Sequence, residues 1–370
     1  MNDKIKNKRI LFAGGGTGGH LFPAIAVALQ IRKLLPEAEI LFIGTRKKIE
    51  STIVPKYGFK FKSIWIKGFS RKASLENLLF PLKLIISVMQ SLFINMKFRA
   101  DVAVGSGGYV AGPAIFAASV TGAKVVLLEQ NSLPGLTTRI LERFSDEVHL
   151  SFEDSKKYFK NKNKLYVSGN PVRVDLGTIS KEQAVSKFGL KPDKKTLLVV
   201  GGSLGAASIN NAVFVNLSKI KSAGIQLIWQ AGKYYIDKYL RYQTEDIRIF
   251  PFIEDMNAAY SACDLILARA GATTIAEVTA IGKPAVLVPS PNVAENHQYF
   301  NALSVADKGA AVMVEDKYIN EKFEKEIIRL ILNDKMLSEI TENIKKIARN
   351  NSTEIIAEHI IRFLEANERN

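Results

Sequence analysis

Short apolar runs alternate with longer segments of helical periodicity through most of this chain. Arg9–Ala13 reads as a strand, Phe22–Leu35 as a helix and Glu39–Ile43 as a strand. A long helical stretch near Leu75–Phe98 follows, then strands at Asp101–Val104 and Lys124–Glu129. These runs are apolar at both parities, as in strands covered on both faces, and their alternation with helices implies parallel βαβ units. The pattern restarts after Asn170–Arg173. A polar stretch, Ser180–Lys195, leads into a strand at Thr196–Val200 and a helix from about Ala206 to Lys221. Strands at Gln226–Gln230, Arg248–Pro251, Leu265–Ala268 and Ala285–Val288 continue the series. The reading is therefore two α/β domains, 1–168 and 169–351, joined near residues 165–178. Ser352–Ala366 has the period of an amphipathic helix; periodicity does not reveal its docking surface, and the first domain is one candidate.

Bulk numbers agree with two domains. A chain of 370 residues, 47% hydrophobic and 24% charged, is an ordinary folded protein too long for one core. A single cysteine, Cys263, excludes a disulfide framework and a cysteine zinc site, and is expected as a buried core residue in a reducing compartment. The segment Asn2–Arg9 is polar and runs directly into a strand, so no secretion signal is expected.

Charge changes the picture once it is located. The net charge is +15, and residues 1–175 hold 27 Lys and Arg against 13 Asp and Glu. Residues 176–370 hold 24 against 23. A basic N-terminal half suggests a polyanionic partner, nucleic acid or an anionic membrane, with a general lysine bias as the plain alternative. The basic residues are not interleaved with stacking aromatics and no recognition motif is present, so nucleic acid is not expected. Leu78–Phe98 is strongly apolar but is interrupted by Pro81, Lys83, Gln90, Asn95 and Lys97, which argues against a spanning helix. One face is expected in the core. The other, flanked by Lys67, Arg71, Lys72, Lys97 and Arg99, reads as an interfacial patch in the Leu75–Arg99 region.

The candidate chemistry lies at strand ends. Three strands run into glycine-rich turns: GGGTGGH (14–20), GSGGYVAGP (105–113) and GGSLGA (201–206). Glycine lets backbone approach a ligand closely, and N–H groups at the following helix start favour an anion. Gly14, Gly16 and Gly19 also fit G-x-G-x-x-G, which keeps a dinucleotide oxidoreductase as the rival reading. Its acidic ribose partner would be Glu39, which stands at the start of the second strand instead of its end, and the other two loops have no role in that scheme. A phosphate-binding G-x-x-x-x-G-K-[ST] loop and an Asp-x-Asp pair are both missing, so a bound diphosphate has to be met by dipoles, N–H groups and arginine. Asp264–Glu277 suits this: a strand ends at Arg269, Ala272-Thr273-Thr274 open a helix, and Glu277 stands one turn in, where it could bind ribose hydroxyls.

With GGGTGGHLFPAIAVA (14–28), GSGGYVAGP (105–113), EQN (129–131), GNPVR (169–173), GGSLGA (201–206), RAGATTIAE (269–277) and AENHQ (294–298) in this order, the chain resembles the MurG family over most of its length. The resemblance implies a GT-B fold, two Rossmann-like parallel-sheet domains facing across a cleft. It implies inverting, metal- and cofactor-independent transfer of N-acetylglucosamine from UDP-N-acetylglucosamine to the 4-hydroxyl of undecaprenyl-diphosphate-linked N-acetylmuramoyl pentapeptide, in peptidoglycan synthesis. The alternative is a related GT-B UDP-sugar transferase with another lipid or aglycone acceptor. The resemblance also implies that Arg173 and Ser203 lie near the donor diphosphate, Ile253 at the uracil, Ala272, Thr273, Thr274 and Glu277 along diphosphate and ribose, and Gln298 near the sugar. Thr17, Gly18, Gly19 and Asn131 would reach donor or reacting groups from the other domain. Gly14, Gly15 and Gly16, with Gly107, Gly108 and Tyr109, would form the acceptor side. The family commonly ends its last motif in two glutamines; here the first is His297, which puts a contact at that position in doubt. Inverting transfer needs a base for the acceptor hydroxyl, and His20 is the candidate, with Glu129 the alternative. The lipid acceptor implies peripheral attachment to the cytoplasmic face of the membrane.

Overall fold

Strand β1 (Arg9–Ala13) shows why the chain folds as it does. Successive side chains of a strand point to opposite faces. Ile10 and Phe12 enter one core while Leu11 and Ala13 enter another, so the sheet needs a helical layer on each side. The computed structural model describes residues 8–68, 78–172, 176–202 and 204–366. The chain forms two compact units, one running to Val172 and completed by the segment from Asn350, the other Arg173–Arg349.

In the first unit the described residues form a seven-stranded sheet. Besides β1 its strands are β2 (Glu39–Gly44), β3 (Lys60–Ser63), β4 (Val102–Gly105), β5 (Lys124–Glu129), β6 (Glu147–Leu150) and β7 (Leu165–Tyr166). They are parallel, in the order β3-β2-β1-β4-β5-β6-β7. Helix α1 (Gly18–Leu34) covers one face through Leu21, Ile25, Ala28 and Ile31; α2 (Glu50–Lys56) follows β2. The C-terminal helix Ser352–Ala366 joins α1 on that face, with Ile356, Ala357, Ile360 and Leu364 fully buried in the same core.

The other face carries α3 (Phe80–Phe98) and α4 (Gly108–Val120), which pack together. Helix α3 is inside out. Its fully buried positions are Ser87, Ser91 and Asn95, whose side chains bond to their own helix backbone at Leu84 O, Ser87 O and Ser91 O. Small polar side chains at Ser87 and Ser91, each bonded to its own helix, let α3 sit close against α4, while the buried Asn95 Oδ1 has no partner among the described residues. Leu82, Ile85, Met89, Phe93 and Met96 are left between 50% and 67% exposed.

The second unit forms a six-stranded sheet among the described residues, from β8 (Thr196–Val200), β9 (Gln226–Gln230), β10 (Ile247–Phe250), β11 (Leu265–Arg269), β12 (Ala285–Val288) and β13 (Val312–Met313). All pairs are parallel, in the order β10-β9-β8-β11-β12-β13. Its helices include α5 (Ala207–Val215), α6 (Met256–Ala262), α7 (Ala272–Ala280) and α8 (His297–Ala306). Cys263 is buried in this core, its thiol pushed up to about 12 by desolvation.

Several elements differ from the periodicity reading. Helix α1 starts at Gly18, a turn before Phe22, so Gly18, Gly19 and His20 are helical. Six of the nine residues of the second glycine segment, Gly108–Pro113, belong to helix α4. The helix expected over Ala206–Lys221 breaks at Asn216, which has left helical geometry (φ −102°, ψ 6°) and caps Ala212 O with its side chain. Strands β3, β6 and β7 carry no apolar run: β3 is a Lys-rich edge, and β6 buries Glu147 and His149. Of the predicted helix near Leu75–Phe98, residues 75–77 lie outside the described ones.

Truncating Ile360 to Ala removes a wholly buried side chain from the core shared by α1 and the C-terminal helix. Denaturant unfolding is expected to show a loss of about 2–5 kcal/mol; a loss near zero would mean the helix does not belong to that core.

Candidate active site

Each sheet opens at one place. Helices α1 and α4 leave the neighbouring strands β1 and β4 toward opposite faces, since their side chains enter different cores. Between them, at the carboxyl ends of the strands, is the position where such sheets take ligands. In the second unit β8 and β11 are the corresponding neighbours. The glycine segments predicted to carry chemistry lie at these two switch points.

In the first unit the two glycine loops lie against each other. A Cβ on Gly108 would come within 2.5 Å of Gly15 O, and one on Gly15 within 2.6 Å of the Glu50 carboxyl carbon. Gly16 and Gly107 have φ of +86° and +93°, open to glycine at little cost. Glycine is thus required here by loop-on-loop packing and by backbone conformation. Glu50, 99% buried, fastens the first loop: Oε2 accepts from Gly16 N (3.1 Å), and Oε1 accepts from Thr45 N (3.0 Å) and Thr45 Oγ1 (2.8 Å). Tyr109 lies over Gly16, its phenol raised above the ordinary value by burial and by the Glu50 charge.

His20 sits in the first turn of α1, half-buried, with Nδ1 3.0 Å from Gln130 Oε1. The Gln130 amide is oriented by its own donation, Nε2 to Leu128 O at 3.1 Å. An oxygen therefore faces His20, so Nδ1 carries the proton and Nε2 carries the lone pair. Glu129 is turned to a different task. Oε1 accepts from Asn131 N and Oε2 from Gly135 N, both at 3.0 Å, which shapes the 131–135 turn. Burial raises its carboxyl above the usual range, against the pull of these N–H groups, Thr138 and the nearby His20. Asn131 also points its Nδ2 at Glu129 (3.4 Å). Thr17 and Gly19 are exposed at the start of α1. The first switch point thus gathers Gly14–His20, Gly107–Tyr109 and Glu129–Asn131.

Next to these loops is a cavity of about 660 Å³ lined by Arg46, Lys47, Lys48, Lys67, Trp65 and Tyr109 among others. Lys83, from α3, also lines it and stands over the Trp65 ring at 5.7 Å.

In the second unit Gln230 links two segments: Nε2 donates to Gly202 O (3.0 Å), and Oε1 accepts from Ile253 N (2.8 Å). The buried Ile253 therefore has its N–H engaged by protein. Ala272, Thr273 and Thr274 form the first turn of α7, where unsatisfied N–H groups face the switch point. The Thr273 hydroxyl is buried without a hydrogen-bond partner among the described residues. Glu277, half-buried, accepts at Oε2 from the Tyr260 hydroxyl of α6 at 2.7 Å. Gln298 Oε1 accepts from Ser290 N (2.8 Å), tying α8 to the end of β12. His297 Nδ1 bonds to Ala294 O within its own turn (2.8 Å). Arg269 is engaged within the protein. It pairs with Asp316 and donates to Ser208 Oγ (2.8 Å) and Val288 O (3.2 Å), so it braces strand ends. Arg173 and Ser203 lie outside the described residues.

The sequence reading missed Glu50, Gln130, Gln230 and Tyr260, side chains that act on other residues. Only Gln130 had a signal, its place within EQN.

Residues 10–150 match the glycosyltransferase family 28 N-terminal domain, and residues 196–358 match the glycosyltransferase family 28 C-terminal domain. A protein of Christiangramia forsetii named UDP-N-acetylglucosamine–N-acetylmuramyl-(pentapeptide) pyrophosphoryl-undecaprenol N-acetylglucosamine transferase is 42% identical, covering 96% of this chain and 98% of its own. A Bacteroides thetaiotaomicron protein of the same name is also 42% identical, over 98% and 99%. The crystal structure of Acinetobacter baumannii MurG aligns with a TM-score of 0.75 at 28% identity, over 96% and 99% of the two chains.

Replacing Glu50 by Gln turns an amide NH2 toward a group that needs an acceptor. A stability loss of about 1–3 kcal/mol is expected in urea unfolding. An unchanged midpoint would mean the carboxylate does not hold the loop.

Proposed function

The chain belongs to the MurG family of the family 28 glycosyltransferases, and from that premise we propose which residues carry its reaction. The enzyme moves N-acetylglucosamine from UDP-N-acetylglucosamine to N-acetylmuramyl-(pentapeptide) pyrophosphoryl-undecaprenol. The first domain takes the lipid-linked acceptor and the second the nucleotide sugar. The observation that carries this division is the His20–Gln130 hydrogen bond, which leaves an imidazole lone pair in the first domain.

His20 Nε2 removes the proton of the acceptor 4-hydroxyl as that oxygen attacks the anomeric carbon. The bond from that carbon to the diphosphate breaks on the opposite side, and UDP leaves with the electron pair. Its charge is met by the N–H groups at the start of α7, with Thr273 and Thr274, and by Arg173 and Ser203. Glu277, oriented by Tyr260, binds the ribose hydroxyls, and Ile253 packs at the uracil. Gln298 is oriented toward the sugar by Ser290. Glu129 shapes the Asn131 turn, since both its oxygens already accept loop N–H groups. The acceptor diphosphate sits over Gly14–Gly19 and Gly107–Tyr109, close to the cation-lined cavity. No step needs a metal, because N–H groups and cations meet the charge.

The membrane surface is engaged by the outer face of α3. Ile85, Met89, Phe93 and Met96 expose apolar surface beside Lys83 and Lys97, a combination suited to the interface of an anionic leaflet on its cytoplasmic face. No helix among the described residues is long and apolar enough to cross a membrane. Arg71 and Lys72, which the sequence adds to this patch, lie outside the described residues.

UDP release is expected only when UDP-N-acetylglucosamine and the lipid-linked muramyl acceptor are both present; equal turnover with unrelated lipid acceptors would favour a different transferase. His20→Ala is expected to lower kcat by about 10²–10⁴-fold at little changed acceptor KM. Gln130→Ala, which frees the tautomer, should lower it by roughly 10-fold or more. Weak acceptor binding at normal kcat in His20→Ala would remove the base assignment. In co-sedimentation with anionic vesicles, Phe93→Glu should abolish binding, and Lys83→Ala should weaken it about fivefold. Binding that ignores both changes and the vesicle charge would move the membrane contact elsewhere.

A further inference from the structure

A second cluster of chemistry-bearing side chains lies away from both switch points, on the sheet face covered by the C-terminal helix. Glu147 and His149 are two apart on β6 and so share a face. His149 stands in register with Leu128, a residue of the core beneath that helix. His359 and Arg362 are three apart on the helix and also share a face. Glu147 Oε2 is 2.8 Å from His359 Nδ1 and 3.3 Å from His149 Nε2, and Glu147 Oε1 accepts from Arg362 Nη2 at 3.1 Å. One carboxylate oxygen and two imidazole nitrogens converge, all within 4.8 Å of one another. Among the described residues this is the one group of three such ligands.

We propose that Glu147, His149 and His359 bind a divalent transition-metal ion of the zinc class, which clips the C-terminal helix to strand β6. Two imidazoles and a carboxylate form a ligand set suited to zinc, cobalt or nickel, with a fourth position for water. Bonds of about 2.0–2.1 Å set tetrahedral edges of about 3.3–3.4 Å. The His149 edge already has that length, and the His359 edge needs about half an ångström of opening. His359 lies on a helix surface with its side chain 18% exposed, which provides an entry path.

The outer partners are in place. His149 Nδ1 lies 3.0 Å from Ser168 Oγ, a hydroxyl that can accept the ring proton and leave Nε2 for the ion. Arg362 holds Oε1, so Oε2 is the oxygen turned to the imidazoles. An ion here joins positions 212 residues apart in sequence, a long loop whose closure restrains the unfolded chain. The site has no part in sugar transfer, and it does not depend on the residue assignments proposed for that reaction.

The test uses the full chain stripped with chelator and then given zinc or cobalt. One ion per chain should remain after gel filtration, cobalt should give the intense visible band of four-coordinate geometry, and saturating zinc should raise the unfolding temperature by roughly 5–10 °C. His359→Gln keeps a donor to Glu147 and so keeps the fold. It should leave the metal-free unfolding temperature nearly unchanged and lower zinc affinity about 100-fold, and His149→Gln should also lose the cobalt band. Failure of the native chain to retain zinc at micromolar concentration overturns the proposal. So does retention that is equal in His359→Gln.

Discussion

Strand β1 is flanked by neighbours on both sides and buried on both faces, so its chain can meet a ligand only where it leaves the sheet. The same holds for β8. Two-sided burial of a parallel sheet needs helices on both faces, and the helices that follow β1 and β4 go to opposite ones, so an opening lies where they part. In this protein both sheets keep the order that puts this opening beside the first strand of the unit. Gly14, Gly15, Gly107, Gly108, Gly201 and Gly205 follow from the same constraint, since loops meeting at a narrow opening have no room for their Cβ atoms.

Loops built from glycine have little rigidity of their own. They are held by buried polar side chains arriving from elsewhere. Glu50 accepts three hydrogen bonds around Gly16 and Thr45, Glu129 shapes the Asn131 turn, Gln130 sets the proton on His20, and Gln230 joins Gly202 to Ile253. Arg269 is the counterpart of opposite sign, pairing with Asp316 and bracing strand ends where a diphosphate contact was expected. Such groups are costly to bury and are stable only when satisfied.

The first domain departs from ordinary patterning in two places. Helix α3 turns Ser87, Ser91 and Asn95 inward and large apolar residues such as Met89 and Phe93 outward. Strand β6 puts Glu147 and His149 beneath a helix that comes from the far end of the chain. In both, polar residues occupy positions that apolar ones fill elsewhere in this domain.

The sequence by itself determined the two parallel-sheet domains, because burial on both faces leaves uninterrupted apolar runs such as Ile10–Ala13 and Leu197–Val200. It also marked the glycine loops at the strand ends, because close backbone approach demands residues without a Cβ. It was silent where polarity hides a strand, as at β3 and β6, and where a glycine-rich start conceals the first turn of a helix, as at Gly18. Tertiary structure alone decided the partners of the buried polar groups. Glu50 reaches Gly16 from 34 residues away, His20 meets Gln130 across 110, and Glu147 meets His359 across 212. Periodicity reports which face of an element is buried. Which donor meets which acceptor in that burial is settled only when distant elements are packed together.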